Sequence, residues 1–451
     1  MPIGSRQPRY LGIAALLSTT MFYIACTPVG GETDELSSQL PRTKAFSTAT
    51  GHGAAALGGR GGKMIMVTTL SDRTVGSLRS CLEAVGARTC VFRISGVFRF
   101  AGTPPVIRNP YLTIAGQTAP GGGVTIAHDG SAESRTPLLI KNTSDVAVRH
   151  VRVRNDRIGG EKESEDSITI ENSKYVIVDH VSASWARDEV INGYGNNDFI
   201  TISNSIFSYG IPRHDKCALL GSDPKNAQKF SFTGNLCAHN GDRNPDINFR
   251  PASCVEIVNN VFYNAGSEFA EIWETYGGTP ASLVGNSFKA GPDTVSHAPG
   301  IVRQMIGSKG MASIYLRDNQ FFGSFNHIDA YVSVAQKNSP PCPLTLIPAT
   351  ASAAYSSVLA TSGAWPRDAI DAEVIADVRN GTGRIMSQPG SIPVIAAGTP
   401  YPDRDNDGMD DRWETANGAK VGVFDAWLDA NRDGVLNFDA FLDNLDQILL
   451  R

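Results

Sequence analysis

The chain has 451 residues, 19% of them charged and 45 of them glycine, and a formal net charge of −5. That length buries one large domain and leaves room for a smaller one, and the glycine content suits short strands joined by tight turns better than a helical bundle. A mildly acidic chain has no global field that would gather a polyanion, so such a partner must be met by local cations or a bound metal.

The first segment, 1–26, reads as an export signal. Arg6 and Arg9 precede the apolar run Leu11 to Ala25, which at about 15 residues is short for a membrane span. The run ends in YIAC, which resembles a bacterial lipobox with Cys26 as the modified residue and Tyr23 in place of leucine. Free secretion and a lipid anchor at Cys26 are both compatible with this pattern. Residues 27–50 are polar and read as a linker.

Without Cys26 six cysteines remain: Cys81, Cys90, Cys217, Cys237, Cys254 and Cys342. An even number in an exported chain predicts disulfides, with 15 possible pairings. Cys81–Cys90 closes a short loop and is the favoured pair. No CxxC spacing suggests zinc.

From about Val91 to Phe322 a pattern recurs: a short β-branched strand, an asparagine, then an aliphatic or aromatic residue. FITISNSIF, KFSFTGNLC, CVEIVNNVF, ASLVGNSFK and IYLRDNQFF are examples. Their asparagines are Asn204, Asn235, Asn260, Asn286 and Asn319, at gaps of 31, 25, 26 and 33 residues. Periods in that range indicate a solenoid, and short strands without helix caps favour a parallel β-helix over a leucine-rich horseshoe. Ile206, Phe262, Phe288 and Phe321 are expected to stack inside it. Asp179 and His180, at a strand end, read as a hydrogen-bonded structural pair. Arg152, Arg154 and Arg157 read as surface ion pairs, with at most a part in steering substrate.

Residues 401–451 form a separate tail. DRDNDGMDDRWE places Asp403, Asp405 and Asp407 at positions 1, 3 and 5 of an EF-hand loop, Gly408 at 6, Met409 at 7 and Glu414 at 12, which is a calcium ligand set. A second copy, DANRDGVLNFDA, keeps Asp429, Asn431, Asp433 and Gly434 but has Ala440 at position 12 and Asp439 one place early. The first loop is expected to bind calcium and the second to be weak or distorted. The pair resembles EF-hand or dockerin-like tails and reads as an appendage that adds stability.

The run from Asp166 to Asn192, DSITIENSKYVIVDHVSASWARDEVIN, carries the chemistry, followed by Lys216 in HDKCALLG and by Arg243 and Arg250 in RNPDINFR. These strings resemble the active-site run of the pectate lyases of polysaccharide lyase family 1. The resemblance extends through 51–400: GGRGGKMIMVTTL with GSLRSCLEA, then VFRISGVFRF and NPYLTIAGQTAPGGGVTI, and finally AWPRDAIDAEVIADVRNGTGRI. It implies an all-β, right-handed parallel β-helix over 51–400, and cleavage of α-1,4-linked polygalacturonate by calcium-dependent β-elimination.

The residues implied follow position by position. Asp166 and Asp188 fall at calcium-ligand positions, with Glu189 as a neighbour. Asn192 stands where relatives carry a later aspartate. Ser164, flanked by Glu163 and Glu165, stands where they carry another acid. Arg243 matches the general base, Arg250 a second arginine that holds a substrate carboxylate, and Lys216 a lysine that binds an acidic sugar. An arginine base is demanding, because a guanidinium with a pKa above about 12 is protonated at neutral pH. Calcium as cofactor, pectin or polygalacturonate as partner, a secreted monomer and no membrane span complete the expectation.

Three other functions compete. A pectin lyase acts on methyl-esterified chains and needs no metal bridge, which the aspartates argue against. A hydrolase needs a general acid with a second carboxylate, and the aspartate runs of polygalacturonases are absent. A non-catalytic β-helical binding protein would not need Lys216, Arg243 and Arg250 together. Two N-x-[ST] sequons, at Asn142 and Asn380, would accept glycans in a eukaryotic host.

Overall fold

Parallel strands stack into three sheets of ten, nine and nine strands among residues 42–130, 136–157 and 165–451, which the computed structural model describes. The export signal, the lipobox cysteine, Glu163 and Ser164 lie outside these residues. Apart from Lys63–Val67, which pairs with the next strand Arg88–Phe92, each strand pairs with its counterpart one coil away rather than with its chain neighbour. The fold is therefore the parallel β-solenoid that the repeat predicted.

From the middle coils onward the strands are short because the chain bends at a fixed place in successive coils. Asn204, Gly234, Asn259, Gly285 and Asp318 all have φ between +48° and +68°, a conformation that glycine, asparagine and aspartate tolerate best. The residue after each bend forms a buried ladder. Ser205, Asn235 and Asn260 donate their backbone N–H to Oδ1 of Asn235, Asn260 and Asn286 at 3.0, 2.9 and 2.9 Å. Asn286 donates likewise to Asn319 at 3.1 Å. The ladder thus begins at Ser205; Asn204 is the bend residue and donates its amide to Asp179 at 2.9 Å.

The same one-residue offset corrects a core assignment. Phe207, Cys237, Phe262, Phe288 and Phe321 are in register along one inward face. The rings of Phe262, Phe288 and Phe321 stack at 5.0 and 5.1 Å. Ile206 faces outward and is buried with Leu236 and Val261 beneath the C-terminal helices, because neighbouring strand residues point to opposite faces.

Two of the three sheets are covered on the outside. Residues 42–57 lie along the ten-stranded sheet, where Phe46, Ala49 and Ala56 pack on Ala147 and Ile177. The end of the segment expected to be a linker is therefore part of the packed structure: Arg42 pairs with Asp145 at 2.8 Å. Helices Ala351–Thr361 and Ala369–Asn380 cover the second sheet. Arg152 and Arg154, expected at the surface, are buried beneath this cover. Arg154 reaches Ser184 at 2.7 Å, Asp368 at 3.0 Å and Asp371 at 2.8 Å. The third sheet, which includes Ile168–Glu171, Glu189–Tyr194, Lys216–Ser222, Asp246–Ile247 and Ala270–Trp273, has no such cover among the described residues and carries the candidate site.

The disulfides are Cys81–Cys90, as expected, with Cys217–Cys237 and Cys254–Cys342. The tail has helices Asp411–Asn417 and Asn437–Leu449. Its Met409, Phe438, Phe441 and Leu442 pack on Val91 and Ala115 of the first coils. Asp446 reaches Arg149 at 2.5 Å. Among the described residues no helix is long and apolar enough to cross a membrane.

Candidate active site

Strand register brings distant residues onto two lines across the uncovered sheet. Thr169, Asn192, Leu219, Asp246 and Glu271 share one line. Glu189, Lys216 and Asp242 share another, nearer the strand starts. Asp166 and Asp188 immediately precede these strands.

Oxygens of Asp166, Asp188 and Glu189 lie within 4.8 Å of one another. Asp166 is held rigidly. It accepts the Glu189 backbone N–H at 3.1 Å, the Thr169 hydroxyl at 2.5 Å and the Asn192 amide at 3.0 Å. Burial, added to by the charge of Asp188, pushes its carboxyl up to about 6 against those hydrogen bonds. Burial and the two aspartates raise Glu189 well above the usual range. Asp188 is more open, with His214 at 3.4 Å. The Oδ1 of Asn192 is buried without a hydrogen-bond partner. Hard oxygen donors, excess negative charge and an orphaned carbonyl oxygen fit a divalent cation such as calcium. Glu165 is not part of this cluster: it is fully buried on Arg157 at 2.5 Å and His128 at 3.2 Å.

Arg243 reaches the same cluster from the next coils. Its guanidinium pairs with Glu189, and its backbone N–H donates to Glu271 Oε1 at 3.0 Å. Its φ is +52°, an uncommon conformation for arginine that the surrounding contacts must hold. Burial pulls its pKa down, but Glu189, Asp246, Asp242 and Glu271 outweigh it and raise the pKa. Lys216 Nζ meets Asp242 at 2.5 Å. Arg250 is exposed in the turn at the opposite end of strand Asp246–Ile247 from Arg243. The structure brings Asp166, Asp188, Glu189, Asn192, Lys216 and Arg243 together, and leaves Arg250 apart.

The sequence reading passed over the acids behind Arg243. Asp246 is pushed up to about 7 by burial, against the opposing charge of Arg243, and burial raises Glu271 as well. Asp246 stands inside the RNPDINFR string, and Glu271 lies one coil later in register, so the repeat period was the available signal. Beside Asp166 the groove opens into a cavity of about 270 Å³ lined by Pro104, Leu139, Thr169, Asn192 and Tyr194.

Comparison with known proteins gives the arrangement its family. The pectate lyase family model matches residues 121–365. The chain is 31% identical over 392 residues to a probable pectate lyase C of Aspergillus fumigatus, covering 82% of this chain and 86% of the relative. It is 33% identical over 394 residues to a probable pectate lyase C of Emericella nidulans, covering 84% and 87%. A solved pectate lyase bound to a hexasaccharide shares the fold at 13% identity and a TM-score of 0.50, over 72% of this chain and 99% of that one. The chain belongs to the pectate lyase family and is a polysaccharide lyase.

Proposed function

We propose that the enzyme cleaves α-1,4-linked polygalacturonate by calcium-dependent β-elimination, releasing unsaturated oligogalacturonates. One observation carries the calcium dependence. Asp166, Asp188, Glu189, Asp242, Asp246 and Glu271 crowd a groove whose cations, Lys216 and Arg243, are already paired with acids. Such a groove repels a polyuronate unless cations enter with it. Asp166, Asp188, Glu189 and Asn192 would hold calcium, which supplies positive charge to the substrate carboxylate as the adjacent carbanion develops.

Arg243 takes the proton from carbon 5. The electrons of that bond form the carbon 4–carbon 5 double bond, and the bond from carbon 4 to the glycosidic oxygen breaks. The expelled oxygen takes a proton from solvent. For this role Arg243 must be neutral, and the acids around it oppose that. Neutralising Glu189 and its neighbours with a cation removes the largest source of the opposition. Lys216 binds an acidic sugar, and Arg250 is assigned a substrate carboxylate at the far end of its strand.

We infer further that Asp403, Asp405, Asp407, the Met409 carbonyl and Glu414 bind a second calcium, and that the protein is a secreted monomer. Three disulfides support an oxidising compartment. Ultraviolet absorbance of unsaturated product tests the main reading. Polygalacturonate should be cleaved with calcium and not with chelator, and methyl-esterified pectin poorly in both. Chelator-resistant cleavage of esterified pectin would establish the pectin lyase reading instead.

A further inference from the structure

We propose that Asp425 completes the cation site of the carboxy-terminal loop, and that the ion there clasps the tail onto the first coils of the solenoid. The proposal rests on the reading of 403–414 as a calcium loop and adds a ligand from outside it.

Two carboxylate groups share Asp407. Oxygens of Asp403, Asp405 and Asp407 lie within 4.8 Å of one another, and so do oxygens of Asp407, Glu414 and Asp425. The loop is wound around this centre. Asp403 accepts the N–H of Asp407 and of Gly408, each at 3.1 Å, and Asp407 accepts that of Met409 at 3.0 Å. Gly408, at φ +90°, is required twice over, since a Cβ there would sit 2.8 Å from the Phe438 ring.

Glu414 is the observation that points to a ligand. It is 0% exposed, and neither carboxylate oxygen has a hydrogen-bond partner. Oδ2 of Asp405 is orphaned too. A buried carboxylate without partners is costly unless a cation satisfies it. Arg93 of the solenoid approaches Asp403, but at 3.7 Å, and its ring contact is to Tyr401. It does not reach Glu414. Asp403, Asp405, Asp407, Glu414, Asp425 and the Met409 carbonyl together offer the six or more hard oxygens that calcium takes.

The second loop now has a purpose. It is wound like the first, with Asp429 accepting Asp433 N–H at 3.1 Å and Gly434 N–H at 2.9 Å. Its closing acid is missing, however, because Asp439 pairs with Arg60 at 2.6 Å. What it does is hold Asp425. Asn437 donates to the Asp425 backbone carbonyl at 2.9 Å and to its carboxylate at 3.2 Å, and Asp425 N–H reaches Asp407 Oδ2 at 3.3 Å. Asn437 starts the helix that ends near Asp446 and Arg149. The ion, Asp425, Asn437 and that helix form one continuous connection to the solenoid.

The test uses the full-length protein, with calcium titrated by calorimetry and amide exchange followed over 63–67, 88–92, 112–117 and 437–449. Calcium should slow exchange in all four segments. Asp425→Asn, which preserves shape, should weaken the tail ion on the order of ten-fold and leave these segments fast until calcium is raised. Asp166→Asn, in the groove, should change neither. Wild-type tail affinity in Asp425→Asn, or segments indifferent to calcium, overturns the proposal. Glu414→Gln separates the two readings. If it too binds the tail ion normally, the calcium loop itself is wrong; if it loses the ion while Asp425→Asn keeps it, only the clasp fails.

Discussion

Glu189 and Arg243 are each other's ion-pair partner, so the arginine assigned to proton transfer is tied to a carboxylate of the cation cluster. The two halves of the proposed chemistry are coupled through one contact. Removing the negative charge of Glu189, by cation or by protonation, loosens the hold that keeps Arg243 protonated.

Arg243→Lys should reduce turnover at least ~100-fold, the scale for losing a positioned base. Calcium binding and the unfolding midpoint should stay close to wild type. Initial rates of unsaturated product on polygalacturonate, with calorimetry alongside, measure both. A variant retaining a tenth of the rate means that Arg243 is not the base.

Asp188→Ala should raise the calcium concentration for half-maximal activity by roughly ten-fold, with partial rescue at excess calcium, because a more exposed ligand is lost while Asp166 and Glu189 remain. An unchanged calcium requirement identifies Asp188 as a structural carboxylate.

The Asp166 carboxyl, pushed up to about 6, sets a pH dependence with a definite sign. Between its unfolded value of about 3.9 and that folded value, the native state binds more protons than the unfolded chain, so this group makes stability fall as pH rises. In chelator, Asp166→Asn should therefore gain thermal stability relative to wild type as pH is raised through about 6. Calcium should abolish that gain, since it stabilises the ionised form in wild type. A difference between the two proteins that does not change with pH refutes the assignment.

Asp446→Ala should destabilise the fold by about 3 kcal/mol, the lower end for breaking a buried ion pair, since Arg149 keeps Asp179 at 3.3 Å. Denaturant midpoints measure this. Activity per folded molecule should be unchanged, because this network lies away from the groove.

Asn260→Ala should cost about 2 kcal/mol, because it strips a buried backbone N–H of its acceptor and the Phe232 carbonyl of its donor, at 2.9 and 2.8 Å. Retained stability would show that the ladder contributes little.

The fold was legible because it repeats. Recurring asparagines announced the coils even though the ladder begins at Ser205 rather than at Asn204, where a serine hydroxyl replaces the amide. The same single-residue ambiguity turned Ile206 from core to outer face, a distinction that period-two strands leave to register. Long-range cover was not legible. Arg152 and Arg154 look like surface charges until Asp368 and Asp371, more than two hundred residues later, fold over them. Asp166, Asp188, Lys216 and Arg243 stand in motif strings and the structure gathers them, whereas Glu271 is signalled only by the repeat period and Asp425 only by its place beside Asp407 and Glu414.

The tail's seat on Val91 and Ala115 has a consequence for biosynthesis. The first coils to emerge from the ribosome display an apolar face, with Met64 and Met66 beside it, that Met409, Phe438, Phe441 and Leu442 close much later in the chain. A chain cut short before Phe438 would carry a bare, sticky patch at its oldest end, open to chaperones and proteases. Those coils are thus closed only when a segment made much later docks on them, and their apolar face must be kept from self-association in the interval.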